Sequence, residues 1–288
     1  MQWKIDGRSL VAAALLVGGA LLMPPAETAT AQAPGSVVDD IVGLRVGMSY
    51  DAVVALLEGR DDTPEIETAE QWIRQSHGLP TRQLLRASDG VPCAEGEKAT
   101  NIGWYAVCDT ARGRFGARKE VTNEIVVAFT GMPEQEVAGS IWRRTVFAVG
   151  KYPTVASVID ALTQKYGEPH IGQTESGYYS MSHRTGATNL NWIFAANSGR
   201  IGNDDSLKHR CVNGPKPWFA TEHSWSGGCG LTIRAEILPV PSNSLLVQVL
   251  NVSVVNQREL IEALGRFEAE IKSAVEGRAQ GEAAKPEL

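Results

Sequence analysis

Ser49 to Leu57 and Thr154 to Leu162 carry one pattern, which limits the folds open to this chain more than any other feature. Each segment starts on a hydroxyl residue able to cap a helix, and each gathers its apolar residues on one face. Val53, Val54 and Leu57 of the first fall on Val158, Ile159 and Leu162 of the second. Strands follow in matching order. Glu124 to Phe129 corresponds to Leu231 to Ile237, and Ser140 to Val149 corresponds to Ser244 to Val255, an alternating run rich in Val and Leu. Asn256 and Glu259 form a capping box. Beyond it, Leu260, Ile261, Leu264, Phe267, Ile271 and Val275 make one apolar stripe. Pro64 at a first turn predicts a shorter helix from Thr63-Pro64-Glu65, with Ile66, Ala69, Trp72 and Ile73 turned inward.

The expected fold is therefore α+β. Two tandem helix-plus-antiparallel-strand repeats are predicted over 37–149 and 150–276, with an amphipathic helix closing the second. One face of each sheet would be covered by a helix. Residues 277–288 are polar, rich in Ala and Glu, and expected to be disordered.

The N-terminus reads as an address. Lys4 and Arg8 precede an uncharged apolar run from Ser9 to Met23, then Pro24-Pro25 and a small-residue tail, Ala29-Thr30-Ala31-Gln32-Ala33. This is the three-part pattern of a secretory signal peptide. The run is shorter than the roughly 20 residues of a membrane-spanning helix. Cleavage is expected after Ala31, because cleavage after Ala33 would leave Pro34 first. A periplasmic or secreted protein is predicted, with no transmembrane helix in the mature chain.

Charge narrows the partners. The chain carries a net charge of −6, and the charges of the leader cancel (Lys4 and Arg8 against Asp6 and Glu27). Mild acidity argues against a dedicated nucleic-acid binder. The pairs Arg118-Lys119 and Arg143-Arg144 read as solvated strand and loop ends. Export makes disulfides permissible, and four cysteines allow three pairings. The local one is expected, Cys93 with Cys108 and Cys211 with Cys229. C-x2-C metal spacing is absent.

Gly47-Met48-Ser49-Tyr50-Asp51-Ala52-Val53 resembles the G-M-S/T-x-x-x-V start of the small outer-membrane-assembly lipoprotein family, whose fold also occurs, duplicated, in the secreted β-lactamase-inhibitor protein. Lys165-Tyr166-Gly167-Glu168-Pro169 is similar to the L-G-x-P close of that motif. The first repeat departs from it, continuing Glu58-Gly59-Arg60-Asp61-Asp62, and the lipoprotein cysteine is absent. The whole chain also resembles uncharacterised proteobacterial periplasmic proteins in its opening from Ile41 to Met48, its K-Y-G-x-P at Lys165 to Pro169 and its Cys229-Gly230. The resemblance implies a fold and a compartment, but no catalytic residue.

Signatures of chemistry are sparse. Ser224-Trp225-Ser226-Gly227-Gly228 lacks the first Gly of a nucleophile elbow, and no S-x-x-K or P-loop is present. His170, His183 and His223 could meet around a metal only across loops. Nothing marks Glu95, Glu97 or Glu175 as an acid pair. No catalytic residue, metal ligand or cofactor is therefore assigned.

Aromatic placement rises above this background. Trp218, Phe219, His223 and Trp225 lie between Cys211 and Cys229, and Trp104 and Tyr105 lie between Cys93 and Cys108. Aromatics on constrained loops suit recognition, because little conformational entropy remains to be lost on binding. Such rings also plug core ends, and the sequence leaves both roles open. The leading expectation is a non-enzymatic periplasmic binding or interaction protein with an envelope-protein partner and no nucleic acid. A hydrolase of cell-wall or extracellular substrate is the alternative, and a structural envelope component is the third class.

Overall fold

The computed structural model describes residues 38–62, 65–69, 81–97, 100–102, 105–107, 115–175, 186–197, 199–202, 206–212 and 228–282. The leader and its cleavage site lie outside them.

The expected caps form. Helix α1 (Tyr50–Glu58) starts where the Ser49 hydroxyl accepts from the Ala52 amide at 3.3 Å, and it buries Tyr50, Val53 and Leu57. Helix α2 (Val155–Tyr166) starts where Thr154 Oγ1 accepts from the Ser157 amide at 3.1 Å, and it buries Val158 and Leu162. It stops at Gly167, whose φ of +80° suits a residue without a Cβ. Helix α3 (Lys208–Cys211) is a single turn. In helix α4 (Gln257–Glu282) the capping residue is Asn256, which accepts from the Glu259 amide at 3.4 Å. Its stripe buries Leu260, Phe267 and Ile271. The helix runs to Glu282, past the boundary expected at Glu276 and into the segment expected to be disordered.

The strands are β1 (Glu65–Ala69), β2 (Leu84–Ser88), β3 (Val91–Pro92), β4 (Thr100–Ile102), β5 (Tyr105–Val107), β6 (Arg118–Lys119), β7 (Asn123–Thr130), β8 (Val137–Val146), β9 (Ile171–Glu175), β10 (Thr188–Ala195), β11 (Cys229–Val240) and β12 (Asn243–Asn256). Eight of them build one antiparallel sheet in the order β1-β2-β7-β8-β12-β11-β10-β9, while β3 with β6 and β4 with β5 form small ribbons.

This corrects the expected architecture. The chain does not form two helix-plus-strand repeats with a sheet each. Mostly antiparallel β structure, 40% strand against 26% helix among the described residues, is gathered into a single sheet. The physical reason is the pairing of β8 with β12, from Ser140 opposite Val255 to Val146 opposite Val249, which leaves no boundary through the middle. The helix expected from Thr63 is also corrected. Glu65–Ala69 is an extended strand paired with β2, so Ile66 and Thr68 alternate with Glu65 and Glu67. Trp72 and Ile73 lie outside the described residues.

Period-2 alternation gives the sheet two unlike faces. One carries Leu85, Ile125, Val127, Ile141, Val254, Ile233 and Trp192, packed with Val53 and Leu57 of α1 and Val158 and Leu162 of α2. Trp192 Nε1 donates to the Gly167 carbonyl at 2.8 Å, so the ring also ties the end of α2 to the sheet. The opposite face is polar along most of its width.

Candidate recognition platform

The Cys211–Cys229 disulfide is present, with Cα atoms 5.3 Å apart and both residues fully buried. Cys211 ends α3 and Cys229 opens β11, beside Ala195 at the irregular end of β10. Three side chains fix this base. Thr232 Oγ1 and Gln257 Nε2 each donate to the Cys211 carbonyl at 2.9 Å, and Arg258 donates to the Ala196 carbonyl at 3.0 Å. Ile171, Ile193, Ile201 and Val212 pack around the two sulfurs. Gly230 is required here by closeness of approach: a Cβ would stand 2.5 Å from the Ala195 carbonyl oxygen. The aromatic loop therefore springs from two fixed points in a dry cluster.

A polar lattice continues from that base across the sheet. Arg234 and Glu236 follow Thr232 on the same face of β11. Ser88, Glu124, Arg144, Asn251, Glu236 and Asn189 are successive neighbours on six adjoining strands. Within the lattice, Arg234 Nε donates to Asn191 Oδ1 at 3.2 Å and Asn251 Nδ2 to Glu236 Oε2 at 3.0 Å. Glu124 lies 3.8 Å from Arg86 and 3.7 Å from Arg144. Arg86 and Arg118 both reach Glu67, Arg118 also binds Glu65, and Phe115 stacks on Arg86. Burial pushes the Arg234 proton affinity down to about 10, against the opposing pull of Glu236. Arg118 goes the other way: its hydrogen bond to Glu65 outweighs the cost of burial and raises it.

The lattice is interior, since Arg234, Glu236, Asn191 and Ser253 are all buried. Cations and anions alternate along it, so it fixes strand register without collecting net charge. Among the buried amide atoms in it, Asn191 Nδ2 and Asn251 Oδ1 have no hydrogen-bond partner. Sequence reading missed the whole lattice. Arg118, expected at a solvated end, is buried, and Arg143 is mostly covered.

The residues expected from sequence to carry recognition fall as follows. Trp104, Trp218, Phe219, His223 and Trp225 lie outside the described residues, as do His183 and Cys108. Tyr105 opens β5, opposite Ile102. Cys93 is disulfide-bonded. His170 packs edge-on against Phe194 with Nδ1 2.7 Å from the Ile193 carbonyl oxygen, and burial lowers its proton affinity. No group of three or more metal-ligating side chains occurs among the described residues. Glu97 is engaged by Lys119 at 3.0 Å.

The carboxyls that the fold shifts among the described residues all move down. Glu65 is held down chiefly by the Arg118 hydrogen bond, and Glu97 by the Ala94 amide. For Asp40 and Glu136 burial pushes upward, but hydrogen bonds outweigh it, from the Gly43 amide and Lys165 in one case and from Arg82 in the other. A general acid working near neutrality needs the opposite shift.

No known protein family, curated protein or solved structure matches the chain. The disulfide fits an oxidising compartment. No helix among the described residues is long and apolar enough to cross a membrane.

Proposed function

We propose that this is an exported, non-enzymatic binding protein of the periplasm, released by cleavage after Ala31, that recognises an envelope-protein partner through the loop between Cys211 and Cys229. The observation that carries this reading is the fixed base of that loop: a fully buried disulfide whose Cys211 carbonyl accepts from Thr232 and Gln257. A loop whose ends cannot move has already lost much of the entropy that binding would cost it. Trp218, Phe219, His223 and Trp225 are the anchors, because a few aromatic side chains usually dominate an interface. The resemblance of the Gly47 to Val53 stretch to envelope proteins supports the same compartment.

The test is crosslinking and native mass spectrometry of the mature chain with its own envelope extract, followed by the double change Trp218→Ala and Trp225→Ala. The expected result is a defined partner that the double variant no longer retains, with its thermal midpoint nearly unchanged. Retention of the partner by the double variant overturns the reading. So does turnover of a cell-wall substrate by the mature chain, which would favour the hydrolase.

A further inference from the structure

Arg60, in the turn after α1, and Arg143, in the middle of β8, converge on one carboxylate. Arg60 Nη2 donates to Asp62 Oδ2 at 2.6 Å, and Arg143 Nη2 stands 3.6 Å from the same oxygen. Asn123 Nδ2 donates to that oxygen as well, while Asn123 Oδ1 accepts from Arg143 Nε at 3.0 Å. Among the described residues, Asp62 is the one carboxylate ion-paired with either arginine. Glu58 and Asp61, close in sequence, pair with neither. Two guanidinium charges thus share one carboxylate oxygen that is already crowded with donors.

The surroundings do not relieve the surplus. Lys165 is matched by Asp40 at 3.0 Å, and Tyr166 donates to the Asp40 carbonyl at 2.9 Å. Arg60 Nε is buried without an acceptor. The arginine side chains remain 21% and 25% exposed, so a small solute reaches them, as it does not reach the interior lattice.

We propose that Arg60 and Arg143 form an oxyanion-binding site for a phosphate group, either free or esterified to a larger molecule. Like charges in a partly dehydrated place repel, and an anion between them removes that cost. Two guanidinium forks call for more acceptors than the two oxygens of a carboxylate, and a phosphate group supplies them. Arg143 shows the cost of this crowding: burial first, then the charge of Arg60, loosens its hold on its proton. None of its residues belongs to the base of the Cys211–Cys229 loop, so it goes beyond the recognition reading and stands or falls separately.

Calorimetry and thermal melts of residues 32–288 test it, with inorganic phosphate against chloride at matched ionic strength. Saturable binding is expected, with a midpoint that rises by a few degrees on saturation. Arg60→Gln, a change in a turn, should abolish both effects while the protein stays folded in chloride. Arg143→Lys keeps the charge but loses the fork, and should weaken binding by about tenfold or more. Glycerol phosphate binding more tightly than inorganic phosphate assigns an esterified ligand, and the reverse order assigns the free ion. Absence of saturable binding overturns the proposal, as does an unchanged curve in Arg60→Gln. Acetate binding as tightly as phosphate overturns the phosphate assignment.

Discussion

Gln257 Nε2 donates to the carbonyl oxygen of Cys211 at 2.9 Å, so the first residue of α4 holds the last residue of α3. The same nitrogen lies 3.1 Å from Thr232 Oγ1, and Gln257 is fully buried. Gln257→Ala therefore removes a buried donor from the loop base and puts no other donor in its place. A loss of about 1–3 kcal/mol is expected in denaturant unfolding. An unchanged midpoint would mean that the loop base does not depend on α4.

Gly230 and Gly139 predict a ranking. A methyl at Gly230 meets the Ala195 carbonyl oxygen, which is backbone in a paired strand and cannot yield. A methyl at Gly139 meets Leu260 Cδ1, the far end of a flexible side chain. Gly230→Ala should cost about 1–3 kcal/mol and Gly139→Ala clearly less. Equal melting points for the two variants would contradict the close approach at Gly230.

Replacing Cys211 and Cys229 together with Ser removes a crosslink whose ends are 18 residues apart in sequence. It also puts two hydroxyls into the cluster of Ile171, Ile193 and Ile201. A loss of about 2–5 kcal/mol is expected. Dithiothreitol should reproduce it in the native chain only after unfolding, because the sulfurs are buried. Rapid reduction under native conditions would show the base to be open.

Acid should weaken the protein partly through Glu136. Burial pushes this carboxyl upward, but the Arg82 guanidinium and amide outweigh it and hold it below its ordinary 4.5. A depressed carboxyl stabilises the fold above its unfolded value, and the contribution drains away as pH falls through the lower, folded value. The window therefore lies below about pH 4.5. Urea midpoints measured from pH 6 downward should fall more steeply in the native chain than in Glu136→Gln. Parallel profiles would remove Glu136 from the account.

Much of the local structure was legible. Ser49, Thr154 and Asn256 cap helices as their side chains predict, because capping is settled within one turn. The Val- and Leu-rich run of β12 is a strand as read. What failed was settled at long range. Glu65–Ala69 behind a proline suits a helix start, yet Glu67 binds Arg86 and Arg118, partners no local window contains. The alternation in Asn189-Leu190-Asn191-Trp192 and in Arg234-Ala235-Glu236-Ile237 reads as one dry face and one wet face. Here both faces are buried, and the polar one pairs Arg234 with Asn191 and Asn251 with Glu236 across adjoining strands. The single sheet was illegible for the same reason. Nothing within β8 or β12 tells which strand will lie beside it.

The seat of β12 has a consequence for how the chain acquires its shape. Among the described residues this strand is made after every other, yet it lies between β8 and β11 at the middle of the sheet. As the polypeptide emerges from its N-terminus, β8 is complete long before its neighbour exists and must wait with a bare edge. Closing the sheet means joining segments far apart in sequence, a step of high contact order and correspondingly slow. A chain cut before Asn243 would leave β8 and β11 as two exposed templates for pairing with other molecules. Premature truncation of this protein should therefore yield aggregates rather than a smaller folded domain.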